Sequence, residues 1–260
     1  MNEIKTYNPE WIGGFIEPYS KAGKVIQDCA DEAGIKTFFF AYENLSNNFI
    51  RYPDEVTINY PVIQRADIIL CGNKIIQKFM NVFKAKRTEV IPHTGIETNL
   101  FRILDDEVTY MEGIFVGRDV YEKGWDYVDR YLNYPKYRVE KPVHFLKDSG
   151  MCKFYNSGKV FVHASLRTPF WLEQLGYVIP EALSCGRAVI MSKYGSQVEW
   201  FSKAPGVVVY DPLNEDSMKE AFEKAKEYYP NTEGRKWVIE NFSNEVIARK
   251  YEKIFKEISK

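Results

Sequence analysis

Residues 171–192, WLEQLGYVIPEALSCGRAVIMS, decide the fold class. The helical pattern over residues 177–184 has Pro180 in its first turn, where a missing N–H costs nothing. Gly186 ends this helix, and the apolar run over residues 188–191 predicts a buried strand. A helix that passes through glycine into a buried strand is the repeating unit of a parallel α/β sheet.

The same alternation of short apolar runs and helical patterns continues toward both ends of the chain. Gly34 ends the first predicted helix, and Asn73 is a good N-cap for the second. The predicted helices cover residues 21–33, 73–85, 124–132, 177–184, 196–201, 215–228, 234–241 and 243–258. The predicted strands cover residues 36–41, 67–71, 89–91, 113–116, 143–146, 160–163, 188–191 and 207–209.

The acidic stretch LDDEVTYME, residues 104–112, is poorly patterned and is the best candidate for a linker. It predicts a smaller α/β domain over residues 1–104 and a fuller one over residues 105–260. The final helix is a candidate for crossing back to the first domain. We expect two Rossmann-like domains facing a cleft, with ligands bound at the carboxyl ends of their strands.

The composition is that of an ordinary globular protein, with 45% apolar and 27% charged residues among 260. A formal net charge of −1 argues against a nucleic-acid partner, which would require a basic excess. Cys29, Cys71, Cys152 and Cys185 are scattered without metal-ligand spacing, which predicts buried thiols in a reducing compartment.

No segment has the apolar pattern of a secretory signal or reaches the roughly eighteen apolar residues of a membrane span. We therefore expect a soluble, cytoplasmic protein that at most attaches to a membrane surface. KIIQKFMNVFKAKR, residues 74–87, is apolar on one face and basic on the other, as in a membrane-surface helix. Its length favours the alternative interpretation, a helix that packs on the core of its own domain.

The sequence lacks the common nucleotide-binding motifs. GxGxxG, GxxxxGK[ST] and DxD are all missing, so a bound phosphate must contact side-chain cations and helix N-termini rather than a glycine-rich loop or a metal. FVGRDVYEKG, residues 115–124, places Arg118 and Lys123 after a predicted strand, where both can bind phosphate oxygens. Taken alone, this segment is more typical of a turn with two solvated cations.

The Glu–x7–Glu spacing of residues 173–181 is the stronger signal. The backbone N–H groups of Gly176, Tyr177 and Val178 lie at a predicted helix N-terminus, which is a ready anion site. Glu181, one turn into the helix, can accept hydrogen bonds from ribose hydroxyls. Glu173 lies on the preceding loop, toward the sugar side of a bound diphosphate.

This stretch resembles the donor-site signature of the retaining glycosyltransferases of family 4, which have the two-domain B-type fold. Five further segments occur in the order of that family, and together the matches cover roughly residues 67–258. They are RADIILCGNKIIQKF, VIPHTGIETNLF, FVGRDVYEKGWDYV, SKYGSQVEW and ENFSNEVIARKYEKIF.

The resemblance implies a role for each matching residue. Arg118 and Lys123 match the residues that hold the donor diphosphate, Glu181 the ribose-binding carboxylate and Glu173 the carboxylate near the transferred sugar. The phosphate-contacting turn is matched by Gly176, Tyr177 and Val178. Ser196 and Glu199 fall in the glycine-and-glutamate turn of the family, where Gly195-Ser196 replaces the usual Gly-Gly.

The first domain departs most from the family and is shortened at its start. Tyr42 and Glu43 stand where relatives have a His-containing turn, and WIGGF, residues 11–15, is interpreted as an ordinary turn rather than the glycine-rich loop. His93 replaces the commoner Asn and is interpreted as a turn residue rather than a base. Glu97 replaces Asp.

The implied function is transfer of a sugar from a nucleotide-diphosphate-sugar to a hydroxyl of a glycan, lipid or protein, with retention of configuration. Apart from this donor substrate we expect no cofactor and no metal. Two alternatives remain: a non-catalytic sugar-nucleotide-binding subunit that needs a partner, and another B-fold enzyme, such as a sugar-nucleotide epimerase or a phosphorylase. A shortened first domain also favours self-association.

Overall fold

The computed structural model describes residues 9–42, 53–105, 110–132, 136–142 and 146–259. The chain divides into two compact units, Met1–His93 and Thr94–Lys260. The division falls before the linker candidate at residues 104–112, because Ile96 and Phe101 pack in the hydrophobic core of the second unit. The final helix also belongs to the second unit.

The first unit contains a four-stranded parallel sheet with the strand order β1-β2-β3-β4. Ile69, Phe39 and Cys71 lie in the core between this sheet and its helices. The elements are β1 (Trp11–Gly14), α1 (Lys21–Ala33), β2 (Lys36–Ala41), α2 (Pro53–Asn59), α3 (Pro61–Arg65), β3 (Ile68–Cys71), α4 (Lys74–Val82) and β4 (Thr88–Val90).

The interpretation of WIGGF as a turn is wrong, because residues 11–14 form strand β1. This strand pairs in parallel with β2, from Trp11 opposite Lys36 to Gly14 opposite Phe39. A Cβ on Gly13 would lie 1.8 Å from the carbonyl oxygen of Phe38, so only glycine allows the two backbones to approach this closely. The glycines look like turn residues in the sequence, but one of them serves strand packing.

Most of the helices end as predicted. The Ser20 side chain accepts a hydrogen bond from Gly23 N–H at the start of α1, and Gly34 ends that helix with a φ of 69°. In α4, Ile76 and Met80 are buried in the core, which confirms the core-facing interpretation of that helix. Contact with a membrane surface remains a prediction.

The second unit contains a five-stranded parallel sheet with the strand order β6-β5-β7-β8-β9. Its strands are β5 (Met111–Phe115), β6 (Val139–Glu140), β7 (Gly158–His163), β8 (Ala188–Ser192) and β9 (Val207–Tyr210). Its helices are α5 (Trp125–Tyr131), α6 (Asp148–Asn156), α7 (Val178–Ser184), α8 (Gln197–Phe201), α9 (Glu215–Lys226), α10 (Thr232–Phe242) and α11 (Asn244–Ile258).

Side chains that alternate along β7 and β8 belong to two different cores. Phe161 and Val189 lie in one core, and Val160, Val162 and Ile190 lie in the other. Because successive strand residues point to opposite faces, the sheet is buried on both sides, as expected for parallel strands. This explains why the strands appear in the sequence as continuous apolar runs.

Several elements were not predicted from the sequence: α2, α3, α6 and the two-residue strand β6. The strand predicted at residues 143–146 falls largely on residues 143–145, which lie outside the described part of the chain, as does Glu43. Of the four cysteines, Cys71, Cys152 and Cys185 are buried and Cys29 is half-buried, all as free thiols. Among the described residues, no helix combines the length and apolarity needed to cross a membrane.

Candidate functional site

A cavity of about 800 Å³ lies in the second unit, at the carboxyl ends of β5 and β7. This is the edge at which open parallel sheets usually bind ligands. Four of the residues singled out from the sequence, Arg118, Lys123, Val178 and Glu181, line it. The remaining lining residues are Phe101, Phe115, Val116, Gly117, Asp119, Lys141, Pro142, Leu146, Met151, His163, Ala164 and Ser165.

The loop after β5 brings the two cations to the cavity. A short 3₁₀ helix, Tyr121–Lys123, ends at Gly124, which has a φ of 74°. A Cβ on Gly124 would lie 2.2 Å from the carbonyl oxygen of Ala164, so glycine is required for the loop to pack on the end of β7. Lys123 is thereby held beside the segment that follows β7.

Lys123 and Glu173 form a largely buried ion pair. Lys123 Nζ lies 2.5 Å from Glu173 Oε2, and their side chains are 18% and 9% exposed. The Ser165 hydroxyl donates a second hydrogen bond to Glu173 Oε2 at 2.9 Å. Burial alone would raise the pKa of the Glu173 carboxyl, but His163 and Lys123 outweigh it and hold that pKa well below its usual range. Glu173 is therefore an ionised carboxylate whose charge Lys123 neutralises.

Both cations also stack on one tryptophan. The guanidinium carbon of Arg118 lies 5.6 Å from the centre of the Trp171 ring, and Lys123 Nζ lies 5.0 Å from it. Cations at this distance are attracted by the negative face of the ring. A guanidinium stacked on a ring still has its in-plane N–H donors available for an anion.

Glu181 lies in the first turn of α7, at the cavity wall. The hydroxyl of Tyr155, a fully buried residue of α6, donates a hydrogen bond to Glu181 Oε2 at 2.7 Å. The neighbouring carboxylate and burial of the ring raise the Tyr155 pKa, with burial the larger cause. The phenol therefore stays protonated and holds the Glu181 carboxylate in place.

The turn before α7 has the conformation that its sequence indicates. Gly176 has a φ of 70°, in the left-handed region that favours glycine. The Tyr177 hydroxyl donates to Thr94 O and accepts from Thr94 N, both at 3.1 Å. The Tyr177 side chain thus holds the turn in place, and of residues 176–178 only Val178 lines the cavity.

The other predicted site residues are not among those that line the cavity: Glu173, Gly176, Tyr177, Ser196 and Glu199. Ser196 is buried, and its N–H donates to the carbonyl oxygen of Glu173 at 2.8 Å, so its turn supports the Glu173 loop through the backbone. Glu199 is exposed in the first turn of α8. The structure thus brings Arg118, Lys123 and Glu181 together at the cavity and leaves Glu199 apart.

Sequence reasoning missed several side chains of this site. His163 is the last residue of a strand that was predicted, and Ser165 follows that strand. Their position at its carboxyl end was therefore a signal that could have indicated them as site residues. Lys141, whose Nζ lies 3.0 Å from Asp119 Oδ1, comes from a distant segment with no such signal. In the described part of the chain, no group of three His, Cys, Asp or Glu side chains is arranged to hold a metal ion.

Comparison with known proteins identifies the part of the chain that contains the site. Residues 114–241 match the model of the family described as Glycosyl transferases group 1. Over this range the second unit is similar to a glycosyltransferase group 1 domain. This range contains every site residue singled out from the sequence. No curated protein sequence matches the chain significantly.

Solved structures share the fold over the whole chain. A HepE protein from Anabaena in complex with UDP has a TM-score of 0.80 at 15% identity, with 98% of this chain and 81% of that chain covered. Sucrose-phosphate synthase from Thermosynechococcus elongatus has a TM-score of 0.77 at 15% identity, covering 99% and 75%. A glycosyltransferase from Rickettsia africae has a TM-score of 0.72 at 16% identity, covering 100% and 79%. The chain therefore has two Rossmann-like units of the B-type glycosyltransferase fold.

Proposed function

We propose that this protein transfers a sugar from a nucleotide-diphosphate-sugar to a hydroxyl acceptor, with retention of configuration. The observation that carries the proposal is the pair of cations, Arg118 and Lys123, at the wall of a cavity in a unit similar to a glycosyltransferase group 1 domain. A diphosphate is the part of the donor that requires cations, because each charge-assisted hydrogen bond contributes about 1.5–3 kcal/mol.

Each remaining part of the donor is assigned to the residues that lie on either side of the two cations. The diphosphate contacts Arg118, Lys123 and the backbone N–H groups at residues 176–178. The ribose hydroxyls donate to Glu181, whose carboxylate is held by Tyr155. The transferred sugar lies toward Glu173. Because α7 has only seven residues, we assign the anion contact to local N–H groups rather than to a helix dipole.

Departure of the leaving group places additional negative charge on the diphosphate, and Arg118 and Lys123 stabilise that charge as it develops. Glu173 is ionised, so it has no proton to donate at neutral pH. Its proposed role is electrostatic: it positions Lys123 and stabilises positive charge at the anomeric carbon. The diphosphate takes the proton of the acceptor hydroxyl, so the scheme requires no protein base, metal or cofactor.

The test is calorimetric titration with UDP, GDP and ADP, beginning with UDP because the Anabaena structure contains it. Arg118→Gln is the variant of choice, since Arg118 is exposed and removing it leaves no buried partner charge. Arg130→Gln is the matched control, an exposed arginine of α5 that does not line the cavity. We expect Arg118→Gln to weaken binding about tenfold or more, as loss of a charged hydrogen bond should, and Arg130→Gln to have no effect.

Equal binding by wild type and Arg118→Gln would show that the diphosphate assignment is wrong. The reaction is then followed by NMR with the glucose conjugate of the best-bound nucleotide and candidate acceptors. Transfer with the donor's anomeric configuration supports the proposal, and transfer with inversion contradicts retention. Donor converted to an isomer without an acceptor would indicate the epimerase alternative, and binding with no turnover would indicate a non-catalytic subunit.

A further inference from the structure

His163 is a buried polar residue that the proposed reaction leaves without a role. It is the last residue of β7, the middle strand of the five-stranded sheet, and is only 4% exposed. It is nevertheless among the residues that line the cavity. Neither Nδ1 nor Nε2 has a hydrogen-bond partner among the described residues. Native proteins keep few such groups, and each calls for an explanation.

The surroundings of the imidazole point to a ligand rather than to a protein partner. The Nε2 atom lies 3.8 Å from Glu173 Oε2, beyond hydrogen-bond distance. Glu173 Oε2 already accepts hydrogen bonds from Lys123 and Ser165. On another side, a Cβ on Gly176 would lie 3.4 Å from Nε2, so glycine keeps a side chain out of contact with this nitrogen.

We propose that His163 binds the donor substrate directly, through a hydrogen bond from its imidazole to an oxygen of the diphosphate or of the transferred sugar. This inference rests on the proposed function. It follows from the position of His163 next to the Lys123–Glu173 pair, which places the imidazole at the boundary between the diphosphate and the sugar. A neutral imidazole can donate to a phosphate oxygen or accept from a sugar hydroxyl.

Such a role predicts opposite effects on stability and binding. His163 makes no hydrogen bond with a described residue, and Glu173 keeps Lys123 and Ser165 as partners when it is replaced, so an apolar side chain of similar size should not lower the melting temperature. The same substitution should lower the affinity for the donor. A histidine with a purely structural role would behave in the opposite way, with a lower melting temperature and unchanged affinity.

The variants are His163→Leu, which removes the nitrogens, and His163→Gln, whose amide can replace Nε2. Asn231→Leu is the matched control, because Asn231 is equally buried at 4% but has three partners: Arg187 O at 3.2 Å, Pro205 O at 2.9 Å and Gly234 N at 2.9 Å. The probes are the nucleoside diphosphate that the wild type binds best among UDP, GDP and ADP, its monophosphate, and its glucose conjugate.

We expect His163→Leu to bind the glucose conjugate tenfold or more weakly at an unchanged or higher melting temperature, and His163→Gln to recover part of the affinity. Asn231→Leu should melt at a lower temperature and bind as wild type. If the diphosphate alone is also weakened, the contact is to phosphate; if only the conjugate is weakened, it is to the sugar.

Unchanged affinity of His163→Leu for all three probes would overturn the inference. If Arg118→Gln still weakens binding in that case, the proposed function survives without it. If instead His163→Leu weakens binding and Arg118→Gln does not, the cationic diphosphate site fails while the His163 contact stands. A wild type that binds none of the probes overturns both.

Discussion

The carboxyl ends of the two parallel sheets carry different side chains, although the strands that place them are built alike. In the second unit these ends carry Arg118, Lys123 and Ser165 around a cavity. In the first unit the corresponding segments carry aromatic rings. Phe15 follows β1, Phe40 and Tyr42 lie at the end of β2, and His93 follows β4.

His93 packs edge to face against the three other rings. His93 lies 4.7 Å from Tyr42, 5.7 Å from Phe40 and 6.2 Å from Phe15, between ring centroids. That His93 is a turn residue rather than a base stays a prediction. The same backbone architecture therefore supports a charged site in one unit and an apolar cluster in the other, and the loop side chains decide which.

The largest expected effect comes from breaking the buried ion pair of the second unit. Lys123→Gln leaves the Glu173 charge buried without its counter-ion, and we expect the free energy of unfolding to fall by about 3–5 kcal/mol. The control is Lys24→Gln in the first unit, where Lys24 Nζ also lies 2.5 Å from Asp28 Oδ2 but the side chains are 46% and 38% exposed. That change should cost less than about 0.5 kcal/mol. Urea unfolding of both variants, and of the double variant Lys123→Gln/Glu173→Gln, measures these changes in the free energy of unfolding. Equal losses for Lys123→Gln and Lys24→Gln would contradict a special cost of the buried pair.

The next effect is the loss of stability in acid. Because the pKa of Glu173 is lower in the folded than in the unfolded state, its carboxylate adds stability above the ordinary Glu pKa of about 4.3. This contribution is lost as the pH falls from there toward the folded-state pKa. Wild type should therefore lose more stability than Glu173→Gln between neutral pH and pH 3, measured by thermal unfolding. Parallel curves for the two proteins would show that Glu173 is not stabilised as an anion.

A smaller effect is expected from the ring that holds the cations. Trp171→Leu removes a cation–π contact worth about 0.5–2 kcal/mol, so the affinity for the nucleoside diphosphate should fall a few-fold, and Trp171→Phe should lose less. Trp11→Leu is the control in the first unit, where the ring lies 5.3 Å from Lys36 Nζ. It should leave the affinity unchanged. Equal affinities for Trp171→Leu and wild type would mean that stacking does not position the cations.

The smallest effect concerns the aromatic cluster of the first unit. Burial lowers the pKa of His93, so its neutral form is favoured in the folded state. Its contribution to stability is therefore complete above the ordinary His pKa of about 6.5 and is lost as the pH falls below that value. His93→Phe should remove this slight dependence between pH 7 and pH 5, in thermal unfolding, while nucleotide affinity stays the same. A stability that rises on acidification in wild type would contradict the sign.

Local pattern predicted much of the fold and of the site. The apolar runs of β7 and β8 are buried on both faces, and the caps Ser20 and Gly34 mark where α1 begins and ends; both signals are contained in a few adjacent residues. The positions of Arg118, Lys123 and Glu181 at strand and helix ends were predictable for the same reason. Strand β1 was not predictable, because its Gly13 is required by the carbonyl oxygen of Phe38, which belongs to another strand.

The parallel α/β class, most of the helices and strands, and the charged residues that follow the strands of the second unit can be read from the order of the amino acids. Folding is needed to pair Lys123 with Glu173, to bring Arg118 and Lys123 to Trp171, and to place Tyr155 beside Glu181. These partners lie at least 26 residues apart in the sequence, far beyond the spacings that a helix or strand pattern relates. Local spacing determines which face a residue occupies, whereas burial and charge pairing depend on segments that meet only after folding. The same holds for His163, which has no hydrogen-bond partner among the described residues.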